Sequence, residues 1–497
     1  MGRSFLKMLL KACAVAGAWA GEARPERPQG RGRGIRLAGR SLGAEGLVGG
    51  GPAGMQAPAE GLVDARPAAA GLVDVRAAGR SLVDVRLAGG RVTETGRLQP
   101  LPGETVVDLA GAFLVPGLVD AHVHLTLGGD RDARMNAWAT LDRGVTAVRD
   151  LGGPLERGEA PRLPLCDPEG PLVVPAGAAL TRRGGYGAFL GIAVPPGAAL
   201  APLVEDLAGK GARVIKVVLT GAVDFVRGTA GPAHFDRREV EEVVRAARSL
   251  DLPVAAHANG AAAVALAVEC GVDSVEHGIL AGEEALRLMA ERGTRWVPTL
   301  TPLFAAAGDP RWAGLDDIFA RHLDAVGRAG VLGVRIVAGT DAGSPGVPHG
   351  SLGLELALLR RAGLSPEQLR AAVTTEAASL LGLKDGYGVL APGSATDLVW
   401  FAHDPFRGDT LVRGESDGAA IPGDGGPTSG GRGPTPGRAG STRGGDRPGN
   451  AARRAGPAGS TRGGGRPDAL GAPLGYVRAG RLGAPPGPPW APPLPET

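Results

Sequence analysis

The feature that most constrains the fold is a series of eight short apolar segments that alternate with helical patterns. In chain order the segments are LVDAHVH, VTAVRD, LVVPAG, VIKVVL, PVAAH, SVEH, WVPT and IVAGTD. Amphipathic stretches such as DRREVEEVVRAARSL and SPEQLRAAVTTEAASLLG lie between several of them. Eight strands that alternate with helices over about 275 residues predict an α/β fold, a (β/α)8 TIM barrel. We place this barrel at residues 114–388.

Strand patterns also flank the barrel on both sides. SLVDVRLAGGRV precedes it, GVLAPGSATDLVWF follows it, and PLGYVRAGRL lies near the end of the chain. We expect these ends to form a small β-sandwich domain. Its parts are residues 71–113, residues 389–407 and a final strand within 471–497, a segment that also carries a Pro-rich tail.

Two segments show neither helical nor strand periodicity. The chain contains 84 Gly and 42 Pro, and both segments are rich in these residues. We expect residues 1–70 to be a disordered or targeting-like segment. Residues 408–470 contain the near-duplicates AGSTRGGDRP and AGSTRGGGRP, and we expect a low-complexity disordered insertion there.

Composition excludes several classes of protein. A net charge of +3 gives no global attraction to nucleic acid or to a membrane. The three Cys show no C-x-x-C spacing, which excludes a disulfide framework and a thiolate metal site. We expect a cytoplasmic protein with a small-molecule substrate, and we leave a homo-oligomer open. The alternative is export, because MGRSFLKMLLKACAVAGAWA resembles a signal peptide, although Lys11 interrupts its apolar stretch.

Residues of metal-ligand type stand at the ends of the predicted strands. His122 and His124 end the first strand, and their spacing of two directs both side chains to one face. His257, His277 and Asp341 end the fifth, sixth and eighth strands. Each residue alone is more often a core or capping residue. Together, at the end of a barrel where catalytic residues lie, they predict a metal site.

An ordered set of motifs points to one family. VPGLVDAHVHL, GVTAVRD, VIKVV, VAAHANG, VDSVEHG, AGTDAG, LRAAVTTEAASLLGL and PGSATDLVWF resemble the amidohydrolase superfamily. The chain is most similar to the imidazolonepropionase-related branch, which includes binuclear metal-dependent dipeptidases. The resemblance covers residues 82–406 and a final strand near 474–482.

The resemblance implies a binuclear metal centre with two divalent ions, Zn²⁺ being the preferred one. One ion would be bound by His122, His124, Lys216 and Asp341. The other is held by Lys216, His257 and His277, with Lys216 as a carboxylated lysine that bridges both ions. A metal-bridging hydroxide then hydrolyses the C–N bond of an amide, a cyclic amide or a dipeptide. The catalytic residue Asp341 moves the proton to the leaving nitrogen.

Lys216 also stands out without the resemblance. Lys and Arg together number 54, and only five of them are Lys. A neutral amine on an apolar strand can form a carbamate with carbon dioxide, whereas Arg stays protonated. An ion-paired or snorkelling lysine is the alternative.

The substrate is harder to infer than the chemistry. Tyr186, Arg227 and His349, together with Arg182 and Arg183, lie on loops where a barrel selects its substrate. Solvated loop residues are an equally good interpretation of each. TRRGGYG departs from the family pattern, which often has His where Tyr186 stands, so the substrate stays open.

Two alternative functions remain. The first is a mononuclear enzyme of the imidazolonepropionase or aminohydrolase type. Deaminases of the superfamily place a Glu shortly after the fifth-strand His, but Ala-Asn-Gly follows His257. The second is a catalytically silent barrel that acts as a scaffold, which would need no metal.

Overall fold

The computed structural model describes residues 35–41, 83–107, 109, 111–127, 130–153, 170–310, 312–395, 397–407, 475–478 and 481–483. Its strands are β1 (Ile35–Ser41), β2 (Val83–Ala88), β3 (Arg91–Gly96), β4 (Thr105–Val107), β5 (Phe113–Pro116), β6 (Leu118–Val123), β7 (Val145–Asp150), β8 (Leu172–Pro175), β9 (Ala179–Arg182), β10 (Gly191–Val194), β11 (Ile215–Val218), β12 (Val254–Ala258), β13 (Ser274–His277), β14 (Arg295–Val297), β15 (Leu398–Phe401), β16 (Gly475–Arg478) and β17 (Arg481–Gly483).

The α-helices follow most of the central strands. They are α1 (Asp130–Leu141), α2 (Ala201–Gly209), α3 (Arg237–Ser249), α4 (Ala261–Cys270), α5 (Glu283–Arg292), α6 (Leu300–Ala306), α7 (Leu315–Leu332), α8 (Leu352–Arg361), α9 (Pro366–Val373) and α10 (Thr375–Leu380). Capping boxes fix the starts of two of them, Asp236 with Glu239 at α3 and Ser365 with Gln368 at α9.

Parallel strands form a TIM-barrel-like fold. β6, β7 and β8 pair in order, as do β11, β12, β13 and β14. The hydrogen bond from Arg213 N to Pro175 O, 2.7 Å long, connects the two groups. Residues 336–341 supply the eighth strand position, next to β14 through the Trp296–Ile336 bridge. They close the barrel against β6, because Ala121 N donates to Ala338 O at 3.0 Å.

Helices cover the barrel through an apolar core. Val204 of α2 and Val240 of α3 belong to one buried cluster with Ile215 and Val217 of β11. The strands therefore bury the apolar face that their sequence predicts. This packing holds the carboxyl ends of the strands at one common rim.

Strands from both ends of the chain form a second sheet. Its order is β17-β16-β15-β5-β1-β2-β3, and β4 also pairs with β1. Val85, Leu114, Leu398 and Trp400 pack in one buried cluster, so residues before and after the barrel share a small core. The described strands make one hydrogen-bonded sheet, and a two-layered β-sandwich stays a prediction.

The sequence expectations for the flanks have different outcomes. β1 lies within residues 1–70, where we expected disorder; its strand pairing with β2 and β4 supplies the order that its own composition does not indicate. The insertion predicted at residues 408–470 lies outside the described residues. Within the described chain, no helix has the length and apolar character to cross a membrane.

Candidate metal centre

Histidine rings from three strands meet at the carboxyl rim of the barrel. His122 and His124 come from the end of β6, with ring centroids 5.3 Å apart. The His277 ring, from the end of β13, lies 5.0 Å from that of His122. The His257 ring of β12 lies 4.6 Å from that of His277. The four histidines predicted as ligands therefore form one continuous cluster.

Asp341 completes the cluster from the eighth strand. Its Oδ1 atom lies 3.2 Å from His124 Nε2 and 3.5 Å from His122 Nε2. Ligand atoms of His122, His277 and Asp341 all lie within 4.8 Å of one another. The buried His122 Nε2 has no hydrogen-bond partner among the described residues. The imidazoles of His122 and His277 and the carboxylate of Asp341 supply ligand atoms of the kinds that bind a divalent cation.

Unusual backbone conformations direct two of these side chains. His277 and Asp341 have positive φ angles of 64° and 54°, and Thr299 has one of 47°. His and Asp are among the non-glycine residues that adopt this region most readily. Backbone strain of this kind concentrates at functional sites. The sixth and eighth barrel strands thus end in a left-handed residue, His277 and Asp341, as they reach the cluster.

A buried carboxylate fixes the orientation of His122. Glu276 Oε2 accepts a hydrogen bond from His122 Nδ1 at 2.8 Å, and both side chains are fully buried. Arg149 Nη2 donates to the other oxygen of Glu276 at 2.7 Å. With its proton on Nδ1, His122 presents the lone pair of Nε2 to the cluster.

A second buried carboxylate joins the first and eighth strands. Asp120 accepts hydrogen bonds from Thr340 N at 3.0 Å and from Thr340 Oγ1 at 2.7 Å. Asp120 lies two residues before His122, and Thr340 directly precedes Asp341. The Asp120–Thr340 contact therefore fixes the distance between the strand ends that carry His122 and Asp341.

The other histidines are also held through one ring nitrogen. His124 Nδ1 donates to Gly152 O at 2.6 Å. His277 Nδ1 lies 2.7 Å from Thr299 Oγ1. His257 likewise has a hydrogen bond with the backbone of Gly221, and its Nε2 lies 3.2 Å from Asn259 Nδ2, whose amide can donate to it. His124 and His257 lie outside the set of three residues whose ligand atoms all fall within 4.8 Å of one another.

Burial favours the neutral form of three of the four histidines in the cluster. It lowers the pKa of His122 and of His277 well below the usual range, and nearby cationic and imidazole groups lower both further. Burial, followed by the Lys216 ammonium, lowers the pKa of His257 to about 3. Burial also lowers the pKa of His124, but the Asp341 carboxylate outweighs it and the net shift is upward. Neutral imidazoles are the form that binds metals.

Lys216 lies on β11 beneath this cluster and is almost fully buried. Burial lowers the pKa of its amine to about 8, although the Glu276 and Asp341 carboxylates act in the opposite direction. About a tenth of the amine is then neutral at pH 7, a far larger fraction than for an ordinary lysine.

The predicted loop residues have different environments. The Tyr186 ring lies 5.4 Å from that of His257. His349 has both ring nitrogens buried, and nearby His124 adds to the lowering of its pKa to about 4, which is mainly due to burial. The Arg227 side chain is 80% exposed and pairs with Asp224 at 2.6 Å, away from the histidine cluster. Arg182 is bound by Glu239 and by backbone carbonyls, which indicates a structural role.

The sequence interpretation missed the residues that orient the ligands. Asp120 carries a signal, because its spacing of two from His122 places both on the same face of β6. Glu276 and Arg149 carry no such signal. Their partners are 154 and 127 positions away in the chain.

The family is decided by comparison with known proteins. The model of the amidohydrolase family matches residues 113–422. The chain belongs to the amidohydrolase family. This membership makes the protein a hydrolase that acts on C–N bonds, as the sequence motifs predicted.

Individual relatives are consistent with this family. An ochratoxinase of Aspergillus niger is 30% identical over 59% of this chain and 71% of its own length. An imidazolonepropionase of Deinococcus deserti is 29% identical over 66% of this chain and 87% of its own length. A solved Xaa-Pro dipeptidase with methionine bound in its active site is 26% identical, with a TM-score of 0.58 over 66% of this chain and 90% of that one. Amidohydrolases of different substrate class thus share this barrel.

Proposed function

We propose that this amidohydrolase is a binuclear metal-dependent enzyme that hydrolyses an amide, a cyclic amide or a dipeptide. One observation carries the proposal: five barrel strands bring four histidines, one aspartate and one buried lysine to the same rim. A purely structural cluster would not require His122 Nε2 to be buried without a partner, since leaving such an atom unpaired costs about 1–3 kcal/mol.

The residues would divide between two ions. His122, His124 and Asp341 would hold one, His257 and His277 the other, and a carboxylated Lys216 would bridge them; Zn²⁺ suits this nitrogen and oxygen set. When bound, such ions polarise the scissile carbonyl and lower the pKa of water. His257 would have to release the Asn259 amide to serve as a ligand.

The side chains of the protein perform the remaining steps. Asp341 accepts the proton of the attacking water and delivers it to the leaving nitrogen, since its Oδ1 lies 3.2 and 3.5 Å from the Nε2 atoms of His124 and His122. Glu276 keeps His122 in the tautomer that binds a cation. Tyr186 and His349 are placed to contact the substrate, whereas Arg227 would have to leave Asp224 to do so.

Carboxylation of Lys216 is the part of the proposal that is easiest to test. A carbamate supplies two oxygens and a negative charge, which a neutral amine does not. Lys216→Ala should therefore lower metal content below two ions per chain and reduce turnover of N-acyl amino acids and dipeptides at least about 100-fold. Metal analysis and kinetics on the same preparations provide the measurement.

Two further variants sharpen the test. Lys216→Arg should rescue neither property, because its fixed positive charge repels cations. Lys210→Ala, which removes an exposed ion pair with Asp206, is the matched control and should retain both. If Lys216→Ala keeps two metals and the wild-type rate, the bridge is wrong. One metal per chain with turnover in the wild type would favour a mononuclear enzyme built on His122, His124, His257 and Asp341, and a chain without metal or turnover would favour the scaffold.

A further inference from the structure

An exposed pair of aromatic rings adjoins the metal centre. Tyr186 and Phe189 pack edge to face, with ring centroids 6.0 Å apart and planes at 88°. Their exposed fractions are 38% and 54%. Because the Tyr186 ring lies 5.4 Å from that of His257, the pair forms an apolar surface that begins at the histidine cluster and extends outward. We name these two rings the aromatic platform.

The loop that carries the platform is tied down at both ends. Before it, Arg182 donates to the carbonyls of His234 and Pro195 at 2.8 and 3.0 Å. After it, Leu190 is buried and its amide donates to Gly187 O at 2.8 Å. The rings are therefore presented to solvent by an anchored backbone.

A glycine brings this loop close to the site. Gly187 has a φ of 84°, and a Cβ at this position would lie 3.2 Å from both γ-carbons of Val218. Val218 ends β11, the strand that carries Lys216. Only a glycine combines this conformation with so close an approach. The local sequence thus places the platform against the site.

An anchored, exposed aromatic surface beside the histidine cluster is suited to bind an apolar part of a small molecule. Apolar side chains line most small-molecule sites, and polar groups there are few. Aromatic rings bind another ring edge to face or offset, with a preference beyond the area they bury.

We propose that the aromatic platform binds an aromatic or large apolar group of the substrate beside the scissile C–N bond. The inference rests on the proposed function and narrows its substrate class. N-acyl derivatives and dipeptides with a phenyl or comparable side chain would be preferred over those with small side chains. Phe189 would be a specificity-determining residue, since it touches that group and none of the predicted ligands.

The test compares substrates that differ only in the ring. N-acetyl-phenylalanine and N-benzoyl-alanine place a ring on either side of the C–N bond, and N-acetyl-alanine carries none. The kcat/KM ratio of the better ring substrate to N-acetyl-alanine should be about ten or more, and Phe189→Ala should lower it about tenfold. Phe189→Tyr keeps a ring and should restore the ratio.

A matched control comes from the opposite end of the barrel. Val331 is 89% exposed in the last turn of α7, which leads into the start of the eighth strand. Val331→Ala also removes an exposed apolar side chain and should leave the ratio unchanged.

Binding without turnover separates this inference from the proposed function. 3-Phenylpropanoate and propanoate lack a C–N bond, so calorimetric titration compares their affinities independently of hydrolysis. Tighter binding of 3-phenylpropanoate that Phe189→Ala abolishes supports the platform even if no amide is cleaved, an outcome that would contradict only the proposed function. Equal affinities, or an unchanged substrate ratio in Phe189→Ala, overturn the platform and leave C–N hydrolysis intact.

Discussion

Replacing Glu276 by Gln tests whether the buried carboxylate organises the metal centre. In the native structure each carboxylate oxygen has its own cationic or N–H partner, Arg149 on one side and His122 on the other. A glutamine has one acceptor oxygen, so it can serve only one of them. The change preserves the size of the side chain and removes a single charge.

The contacts of Glu276 determine the expected losses of stability and of metal affinity. Breaking a buried ion pair by removing one partner costs about 3–5 kcal/mol, and we expect about 3 kcal/mol because the amide retains one hydrogen bond. For a large domain this corresponds to a fall of roughly 6 °C in Tm. Loss of the group that orients a metal-binding histidine weakens metal affinity about 10–100-fold.

Thermal unfolding and competition with a chelating indicator measure the two quantities. Glu283→Gln is the matched control, because this exposed carboxylate pairs with Arg287 on the surface of α5. Surface pairs contribute about 0–1 kcal/mol, so the control should keep both the Tm and the metal affinity. The reasoning is refuted if Glu276→Gln melts with the wild type and binds metal equally well.

Two further predictions concern stability. Burial raises the pKa of Glu355 from 4.5 to about 7, so its protonated form favours folding at pH 4.5 and that benefit is lost as the pH rises to 7. The free energy of unfolding of the wild type relative to Glu355→Gln should consequently be larger at pH 5 than at pH 8, by on the order of 1–3 kcal/mol; equal differences at both pH values would contradict this. Gly339→Ala places a Cβ 2.5 Å from Val297 and 2.7 Å from His122, and should cost about 1–3 kcal/mol and weaken metal binding. Gly209→Ala, with nothing within 4 Å of its Cβ, is the control, and equal Tm values for both variants would count against the tight contact.

The sequence alone predicted the barrel and the strand ends at which the candidate ligands lie. Strand and helix patterns depend on local periodicity, and all eight predicted segments occupy strand positions of the barrel. His122, His277 and Asp341 could be predicted to meet because parallel strands in a barrel end at one rim. The strand near residue 475 could also be predicted, since its pattern is local as well.

Only the tertiary structure decided how these residues are oriented and what surrounds them. Glu276 meets His122, and Arg149 meets Glu276, through contacts between distant strands, which no spacing in the chain encodes. Arg182 was a candidate for substrate contact until its anchoring partners were placed around it. β1 has too little apolar content to predict order, yet pairing with β2 supplies it. The exposure of Phe189 next to the histidines is likewise a property of packing, because a sequence records which residues are apolar but not which of them the fold leaves uncovered.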